Sequence, residues 1–244
     1  MNEYYYDLHI HSCLSPCADD DNTPANIVGM ASLSGLNIIA LTDHNSTENC
    51  PAFFAAAKAF GLIAVAGMEL TTSEDIHVIC LFEQLCDAMR FGEEVKKHRI
   101  LIKNRPDIFG RQLIVNENDE IVGEDEYLLS NATDISIEDT PNLVKAFGGI
   151  CYPAHIDREA NGIIAVLGTL PENPAFSTVE FHRKNPISEY EKRFNLDEKT
   201  KVVCSDAHYL SDIKDKENFF LINDEPYSSD KVRKELFRIL RGEK

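Results

Sequence analysis

Histidines and carboxylates recur in this chain at spacings that suit metal coordination. The stretch DLHIHS, near the start, places His9 and His11 two residues apart, and the late stretch SDAH places Asp206 and His208 at the same spacing. Side chains two residues apart share one face of an extended strand, so each pair can converge on one centre. Imidazole and carboxylate without organised thiolates form a ligand set typical of zinc, iron or manganese.

The elements that must position these residues alternate along the chain. Short apolar or β-branched runs predict seven strands, at 4–10, 37–42, 62–69, 76–82, 149–154, 178–181 and 201–205. Helical patterns lie between and after them, mainly at 23–33, 49–60, 83–100, 136–147 and 229–240. Strands separated by helices favour right-handed βαβ units and a mostly parallel sheet.

The length and composition predict one folded α/β unit. Seven strands within 244 residues, 43% of them hydrophobic, suggest a barrel more than an open sheet. We predict a single domain over residues 1–244, because no linker or repeat interrupts the pattern. The main departure from it is a β-hairpin insertion around 111–123, where two alternating runs flank a polar turn.

The histidines gather at predicted strand ends. Six of the eight are expected at or just beyond the C-terminal end of a strand, the edge where α/β architectures build their sites. Glu69, at the end of the third strand, is the candidate bridge between two ions because a carboxylate has two oxygens. Asp43 is expected to orient a ligating imidazole, and His77 has the alternative of being an ordinary half-buried strand histidine. The six histidines are His9, His11, His44, His77, His155 and His208.

The ordered set of motifs resembles the PHP family, the polymerase and histidinol phosphatase metal-dependent phosphoesterases. The set comprises H-x-H after the first strand, T-D-H-N after the second, a glutamate ending the third, later single histidines, and S-D-A-H late in the chain. The resemblance spans His9 to His208. It implies a distorted seven-stranded (β/α) barrel, TIM-like, that holds two to three divalent ions (Zn, Mn or Fe) at its C-terminal mouth and hydrolyses a phosphoester.

The resemblance also implies how ligands divide among the ions. One ion would be held by His9, His11, Glu69 and Asp206, a second by Glu69, His77 and His155, and a third by His44 and His208 with an acidic residue that follows the first motif.

That acidic residue is where the chain departs from the family pattern. Pro16-Cys17 stands where the family commonly has Asp-Gly. Counting back from Pro24, which starts the next helix, puts the ligand at Asp19, with Asp20 and Asp21 as open alternatives. Cys13 and Cys17 lack partners for a zinc site and are expected to be free thiols in a mouth loop.

The residues indicate how the implied hydrolysis would proceed. Two ions sharing Glu69 would lower the pKa of a bridging water enough to give hydroxide, which would attack phosphorus without a covalent enzyme intermediate. Arg158, whose guanidinium matches phosphate oxygens, would neutralise charge on the non-bridging oxygens. His182 would protonate the leaving oxygen, although a metal-bound water would serve equally. The expected catalytic set is therefore Glu69, Asp206, Arg158 and His182.

Charge narrows the choice of substrate. The net charge of −17 argues against a non-specific nucleic-acid surface and a membrane surface, because polyanions require a basic footprint. A small phosphomonoester, such as a nucleotide or a sugar phosphate, is therefore the leading prediction. The alternatives are an exonuclease for short oligonucleotides and a non-catalytic metal-binding regulatory module. An amidohydrolase-type barrel also uses H-x-H, but no strand-end lysine fits its usual carbamylated ligand.

Cysteine usage and the chain start suggest a compartment. Seven scattered cysteines give no disulfide framework, and the first residues show neither a basic nor an apolar signal-peptide region. No apolar run approaches the roughly 18 residues that a membrane span needs. We therefore predict a protein of the reducing cytoplasm with no membrane partner, and the sequence leaves its oligomeric state open.

Overall fold

Strands and helices alternate over most of the chain, as the sequence predicts. The computed structural model describes residues 1–184 and 186–243. Its strands are β1 (Asn2–Ile10), β2 (Ile38–Leu41), β3 (Ile63–Thr71), β4 (His77–Phe82), β5 (Leu113–Val115), β6 (Ile121–Glu124), β7 (Ile150–Pro153), β8 (Thr178–Phe181), β9 (Thr200–Val203) and β10 (Phe219–Ile222). Its helices are α1 (Pro24–Leu33), α2 (Cys50–Phe60), α3 (Leu85–His98), α4 (Pro106–Phe109), α5 (Thr140–Ala146), α6 (Ile163–Leu167), α7 (Ile187–Phe194) and α8 (Ser229–Leu240), with a 3₁₀ turn at Leu210–Asp212.

Six strands form the main sheet, in the order β10-β1-β2-β3-β4-β7. β1, β2 and β3 pair in parallel because α1 and α2 provide the crossovers between them. β4 runs antiparallel to both of its neighbours, β3 and β7. Its connection to β3 is a tight turn, closed by the Thr72 N–H donating to the Ile76 carbonyl at 2.9 Å, and such a turn cannot hold a crossover helix. Because β10 also runs antiparallel to β1, three of the five pairings are antiparallel, and the expectation of a mostly parallel sheet is wrong for the main sheet.

The strands do not form one continuous seven-stranded sheet. The described strands number ten and divide into the main sheet and two pairs, parallel β8-β9 and antiparallel β5-β6, the latter lying within 113–124. Backbone hydrogen bonds join β8-β9 to the main sheet, from the Ile156 N–H to the Glu180 carbonyl (2.8 Å) and from the His11 N–H to the Ala207 carbonyl (2.9 Å). The result is an α/β fold with a curled sheet whose site-bearing ends gather at one mouth.

Helix boundaries follow local signals in the sequence. The Thr23 side chain accepts a hydrogen bond from the Asn26 N–H, and Pro24 occupies the first turn of α1. α2 ends at Gly61, which adopts a left-handed φ of 73° that glycine tolerates without strain. The inward faces of these helices cover the sheet with buried side chains, among them Ile27, Val28, Ala31, Phe53 and Ala57.

The central strands β2 and β3 are buried on both faces, which explains why they read as nearly unbroken apolar runs. Alternate residues of β2, such as Ile39 and Leu41, join the core beneath α1, α2 and α3, whereas Ile38 and Ala40 join a second core. α8 closes that second core with Val232, Leu236, Phe237 and Leu240. One face of the curled sheet is therefore sealed by α8.

The β5-β6 hairpin and the segment that follows it, up to Asn131, are hydrogen-bonded to the loops that carry the first two histidine motifs. Leu113 donates its N–H to the Cys13 carbonyl at 2.8 Å. The Asn49 side chain donates to the Leu113 carbonyl (3.0 Å) and accepts from the Val115 N–H (3.0 Å). The Asn45 side chain donates to the carbonyls of Leu129 (2.7 Å) and Asn131 (2.8 Å). The hairpin and this segment therefore pack beside the mouth of the sheet.

Two further observations concern the cysteines and the lengths of the helices. All seven cysteines are free thiols, and Cys13, Cys50, Cys80 and Cys204 are buried. Across residues 1–184 and 186–243, no helix is both long enough and apolar enough to cross a bilayer.

We expect Gly67→Ala to destabilise the fold, because β4 packs directly over this glycine. A Cβ at Gly67 would lie 2.7 Å from Leu81 Cδ2 and 2.8 Å from the Cys80 carbonyl oxygen, so backbone would have to move. Overpacking of this kind costs about 1–3 kcal/mol. Urea unfolding measures the loss, with Gly123→Ala as the matched control, since its nearest contact, Ile114, lies at 3.6 Å. Equal midpoints for Gly67→Ala and the wild type would contradict this close packing of β4 against Gly67.

Candidate metal centre

One buried carboxylate, Glu69 at 1% exposure, lies within contact distance of five imidazoles. It belongs to β3, and its neighbours come from the ends of β1, β2, β4 and β7. Its Oε1 lies 3.4 Å from His9 Nε2, 2.8 Å from His77 Nδ1 and 3.1 Å from His155 Nε2, and its Oε2 lies 3.3 Å from His11 Nε2 and 3.1 Å from His44 Nδ1. The predicted bridging position therefore holds the centre of the cluster.

Asp206 approaches the same cluster from the segment after β9. Its Oδ1 lies 3.2 Å from His9 Nε2 and 3.3 Å from His11 Nε2. Its backbone is left-handed, with φ of 52°, and its carbonyl lies 2.9 Å from His208 Nδ1. If Nδ1 carries the proton of His208, its Nε2 is left as the coordinating atom.

The ligand atoms form three groups in which all atoms lie within 4.8 Å of one another. The first contains the whole set that the family resemblance implies for one ion. The second joins His44, in place of His155, to Glu69 and His77. The third adds His11 to His44 and His208 and contains no carboxylate. The groups are His9-His11-Glu69-Asp206, His44-Glu69-His77 and His11-His44-His208.

His77 reaches the mouth by a route that differs from the prediction. It is the first residue of β4, so the expectation that it ends a strand is wrong. Because β4 is antiparallel, its beginning lies beside the end of β3, where His77 is paired with Thr71. The side chain is partly buried and makes the shortest of the five contacts with Glu69.

Asp19 is not brought into any of the three groups. It is exposed, its Oδ1 accepts from the Asp21 N–H at 2.9 Å, and its own N–H donates to the His208 carbonyl at 3.0 Å. Asp20 is exposed and lies 3.7 Å from an Arg111 nitrogen. The loop after the first motif is thus attached to the mouth through its backbone, and the ligand role of Asp19 stays a prediction.

A cavity of ≈ 1200 Å³ adjoins the cluster and holds the predicted phosphate-binding residues. Arg158 contacts Asp206 Oδ2 directly, while 44% of its side chain remains exposed. His182 lies on the cavity wall, where Asp157 accepts its backbone N–H at 2.8 Å. Burial lowers the pKa of His182, so its neutral form predominates at neutral pH. Two further cationic side chains, Arg183 and Lys214, line the same cavity.

A relay of hydrogen bonds supports His11. Asp43 accepts the Ser12 N–H and the Ser15 hydroxyl, both at 2.7 Å. The Ser15 hydroxyl oxygen lies 2.9 Å from His11 Nδ1 and accepts the His44 N–H at 3.2 Å. Asp43 therefore acts on an imidazole through Ser15, as an indirect form of the orienting role predicted for it.

A further buried carboxylate beside the cluster, Glu180, was not predicted from the sequence. Its Oε1 lies 2.7 Å from His9 Nδ1. It stands in the apolar strand β8, and a glutamate inside such a run is the only signal the sequence offers. Isolated charges are rarely buried without a partner, so this position could have been singled out on that ground.

Electrostatics divide the histidines into two kinds. Burial disfavours the imidazolium of His9 and His11, but nearby carboxylates outweigh it, raising the pKa of His11 to about 9 and that of His9 well above its usual value. Burial lowers the pKa of His44 well below its usual value. Burial and the nearby charge of His11 together lower the pKa of His208 to about 4. Burial alone would raise the pKa of Glu69, but the surrounding histidines outweigh it and hold this pKa well below its usual range.

The donor set fits divalent metal ions. His9 Nε2 and His11 Nε2 face each other at 3.0 Å and converge on two carboxylates. Asp206 Oδ1 is buried without a well-formed hydrogen bond among the described residues, although both imidazole nitrogens are close. A shared cation would satisfy all of these lone pairs at once. The cluster is therefore capable of binding metal ions, and the fold and site define a metal-binding α/β protein.

Comparisons with known proteins agree with this class. A family model described as the PHP domain matches residues 7–130. The chain belongs to the PHP domain family, and the family together with the buried cluster indicates a metal-dependent hydrolase.

Individual relatives cover the chain to different extents. A 5'-3' exoribonuclease of Haemophilus influenzae is 34% identical over 79 residues, which is 31% of this chain and 28% of the relative. The lesion-specific endonuclease EndoQ of Pyrococcus furiosus superimposes with a TM-score of 0.66 at 16% identity, over 99% of this chain and 56% of that one. An amidohydrolase from Chromobacterium violaceum superimposes with a TM-score of 0.54 at 18% identity, over 88% of this chain and 91% of that one. At these identities the structural likeness establishes the fold.

We expect metal affinity to rise with pH, because a metal must displace protons from raised-pKa histidines. With a pKa of about 9, His11 is protonated in the metal-free protein at neutral pH and must lose a proton on coordination. Affinity should increase about tenfold per pH unit for each proton displaced, between about pH 6 and 8. Calorimetric titration with Co²⁺ in buffers of different ionisation enthalpy counts the protons. Binding that releases none would contradict this protonation state.

Proposed function

We propose that the protein is a metal-dependent phosphoesterase that hydrolyses a small phosphomonoester of the nucleotide or sugar-phosphate type. The observation that carries the proposal is one continuous arrangement, in which a buried imidazole and carboxylate cluster adjoins a cavity lined by Arg158, Arg183 and Lys214. The cluster suits cations, and these three side chains offer positive charge to an anion in a cavity that is also lined by the carboxylates of Asp157, Glu159, Glu189 and Asp212. A phosphate ester bound there would meet both.

We propose two to three divalent ions, Zn, Mn or Fe, held by the ligands that the family pattern implies. His9, His11, Glu69 and Asp206 form the best supported set, because their ligand atoms converge in one buried group. Glu69 would be shared with a second ion at His77, with His44 and His155 both within reach of its oxygens. His44 and His208 would hold a third ion, with His11 nearby.

The chain's own residues would bind the ester and handle its proton. Bound metals would supply Lewis acidity and a low-pKa water. Arg158 would bind non-bridging phosphate oxygens with its exposed guanidinium face while its contact with Asp206 fixes its position. His182, neutral because burial lowers its pKa, would donate a hydrogen bond to the leaving oxygen more readily than a full proton.

We further propose that the curled sheet works as a distorted seven-stranded barrel with the hairpin insertion as part of its mouth. The supporting contacts are the hydrogen bonds from Ile156 to Glu180 and from His11 to Ala207, which link β7 to β8 and the segment after β9 to β1. This closure would hold Asp206 beside His9 although the two residues lie near opposite ends of the chain.

A second candidate function is an exonuclease acting on short oligonucleotides. The relative named as a 5'-3' exoribonuclease favours it, and Arg158, Arg183 and Lys214 of the cavity could contact a phosphodiester backbone. The net charge of −17 disfavours a long polynucleotide track.

We expect metal-dependent turnover of phosphomonoesters that is lost when the first ligand group is broken. His9→Ala and Asp206→Asn should each lower kcat/KM at least about 100-fold, because each removes a ligand and leaves other charges unpaired. The assay compares a panel of nucleotides and sugar phosphates with Mn²⁺, Fe²⁺ and Zn²⁺ after chelation. His98→Ala is the matched control, since this histidine lies on α3 and contacts Asp134. Full activity in His9→Ala would overturn the proposal.

Substrate length separates the two candidates. If the phosphomonoester proposal is correct, mononucleotides should be hydrolysed to nucleoside and phosphate at least about tenfold more efficiently than oligonucleotides, which must displace more of the acidic surface's counter-ions. Chromatography of products from matched mono-, di- and tetranucleotides measures this. Release of mononucleotides from the longer chains, with rates that increase with length, would instead select the exonuclease.

A further inference from the structure

Glu180 is a buried charge in an unexpected place. It occupies β8 between Val179 and Phe181, and all four residues of this strand are buried. Its own exposure is 1%. Burying a carboxylate costs several kcal/mol unless charges or hydrogen bonds offset the lost hydration. The residue therefore requires a partner that makes its burial favourable.

The partners of Glu180 are two histidines of the cluster, and one oxygen serves both. Oε1 lies 2.7 Å from His9 Nδ1 and accepts the backbone N–H of His155 at 3.1 Å. The Glu180 carbonyl accepts the N–H of Ile156 at 2.8 Å. Side chain and backbone of one residue thus hold both His9 and the turn that follows β7.

This turn needs support, because His155 has a φ of 24°, a left-handed value that non-glycine residues rarely adopt. Its Nε2 lies 3.1 Å from Glu69. The Glu180 contact to its N–H therefore stabilises the conformation that directs this imidazole at the centre.

For His9, the contact fixes which nitrogen faces the cluster. Accepting a hydrogen bond from Nδ1 leaves Nε2, 3.4 Å from Glu69 and 3.2 Å from Asp206, as the coordinating atom. A carboxylate on the far nitrogen also increases the basicity of a ligating imidazole. Among residues 1–184 and 186–243, no lysine or arginine forms an ion pair with Glu180, and the side chain that pairs with its charge is that of His9.

We propose that Glu180 is a positioning residue that pre-organises the metal centre by holding His9 and His155 through one carboxylate oxygen. The inference rests on the proposed role of His9 as a metal ligand. Glu180 does not touch the metal or the substrate, and it acts through the orientation and basicity of His9.

The test compares Co²⁺ binding in the wild-type chain, Glu180→Gln and Glu180→Asp. Gln keeps the shape but removes the charge, and Asp keeps the charge but withdraws the oxygen from His9. Each variant should bind Co²⁺ about 10- to 100-fold more weakly and alter its visible absorption bands, which report ligand geometry. Asp224→Asn is the matched control, because this buried carboxylate accepts hydrogen bonds from Tyr4 and Asn2 instead of from a cluster histidine.

Metal binding also distinguishes this inference from the proposed function. A wild type that binds Co²⁺ but hydrolyses no phosphoester would overturn the function and leave the Glu180 comparison intact. Unchanged affinity and spectrum in Glu180→Gln would overturn the inference. If Glu180→Gln does not fold, Glu180→Asp tests the inference instead. A Co²⁺ affinity equal to that of the wild type in Glu180→Asp would contradict the positioning role.

Discussion

Five imidazoles share the two oxygens of Glu69, and the rest of the molecule is arranged to make that contact possible. The five rings come from four separate segments of the chain, which carry His9 with His11, His44, His77 and His155. Packed rings compete for protons and repel each other when charged, so a central anion is needed to hold them together. Glu69 supplies that charge, and the histidines in turn keep the pKa of Glu69 low. Neither part would be stable in a buried site without the other.

The need to bring the imidazoles to Glu69 also determines how β3 and β4 pack in the sheet. Gly67 precedes Glu69 by two residues in β3 and is paired with Leu81 of β4. The absence of a side chain there allows β4 to approach closely, and the antiparallel register then brings His77 diagonally opposite Glu69. The tight turn between β3 and β4 is therefore part of the site, because a crossover connection would have placed His77 at the opposite end of the sheet.

Much of this arrangement could be predicted from the sequence, because strand-end histidines and two-residue spacing are local signals. The reversal of β4 was missed, since strand direction depends on the length of the connection and not on the strand's composition. β10 was missed because it pairs with β1 from a loop-rich region near the end of the chain. Glu180 was missed because its partner His9 lies 171 residues away, and no local pattern joins the two.

The third ligand group shows what the departure at Pro16-Cys17 changes. The loop after the first motif is closed by the Cys13 N–H donating to the Asn22 carbonyl at 2.8 Å, and it is tied to His208 through the Asp19 N–H. The Asp19 carboxylate instead accepts from Asp21. The group His11-His44-His208 is therefore composed of imidazoles alone, whereas the first two groups contain carboxylates. Because Mn²⁺ prefers oxygen ligands and Zn²⁺ accepts imidazole readily, ions bound at the three groups would meet different donor sets.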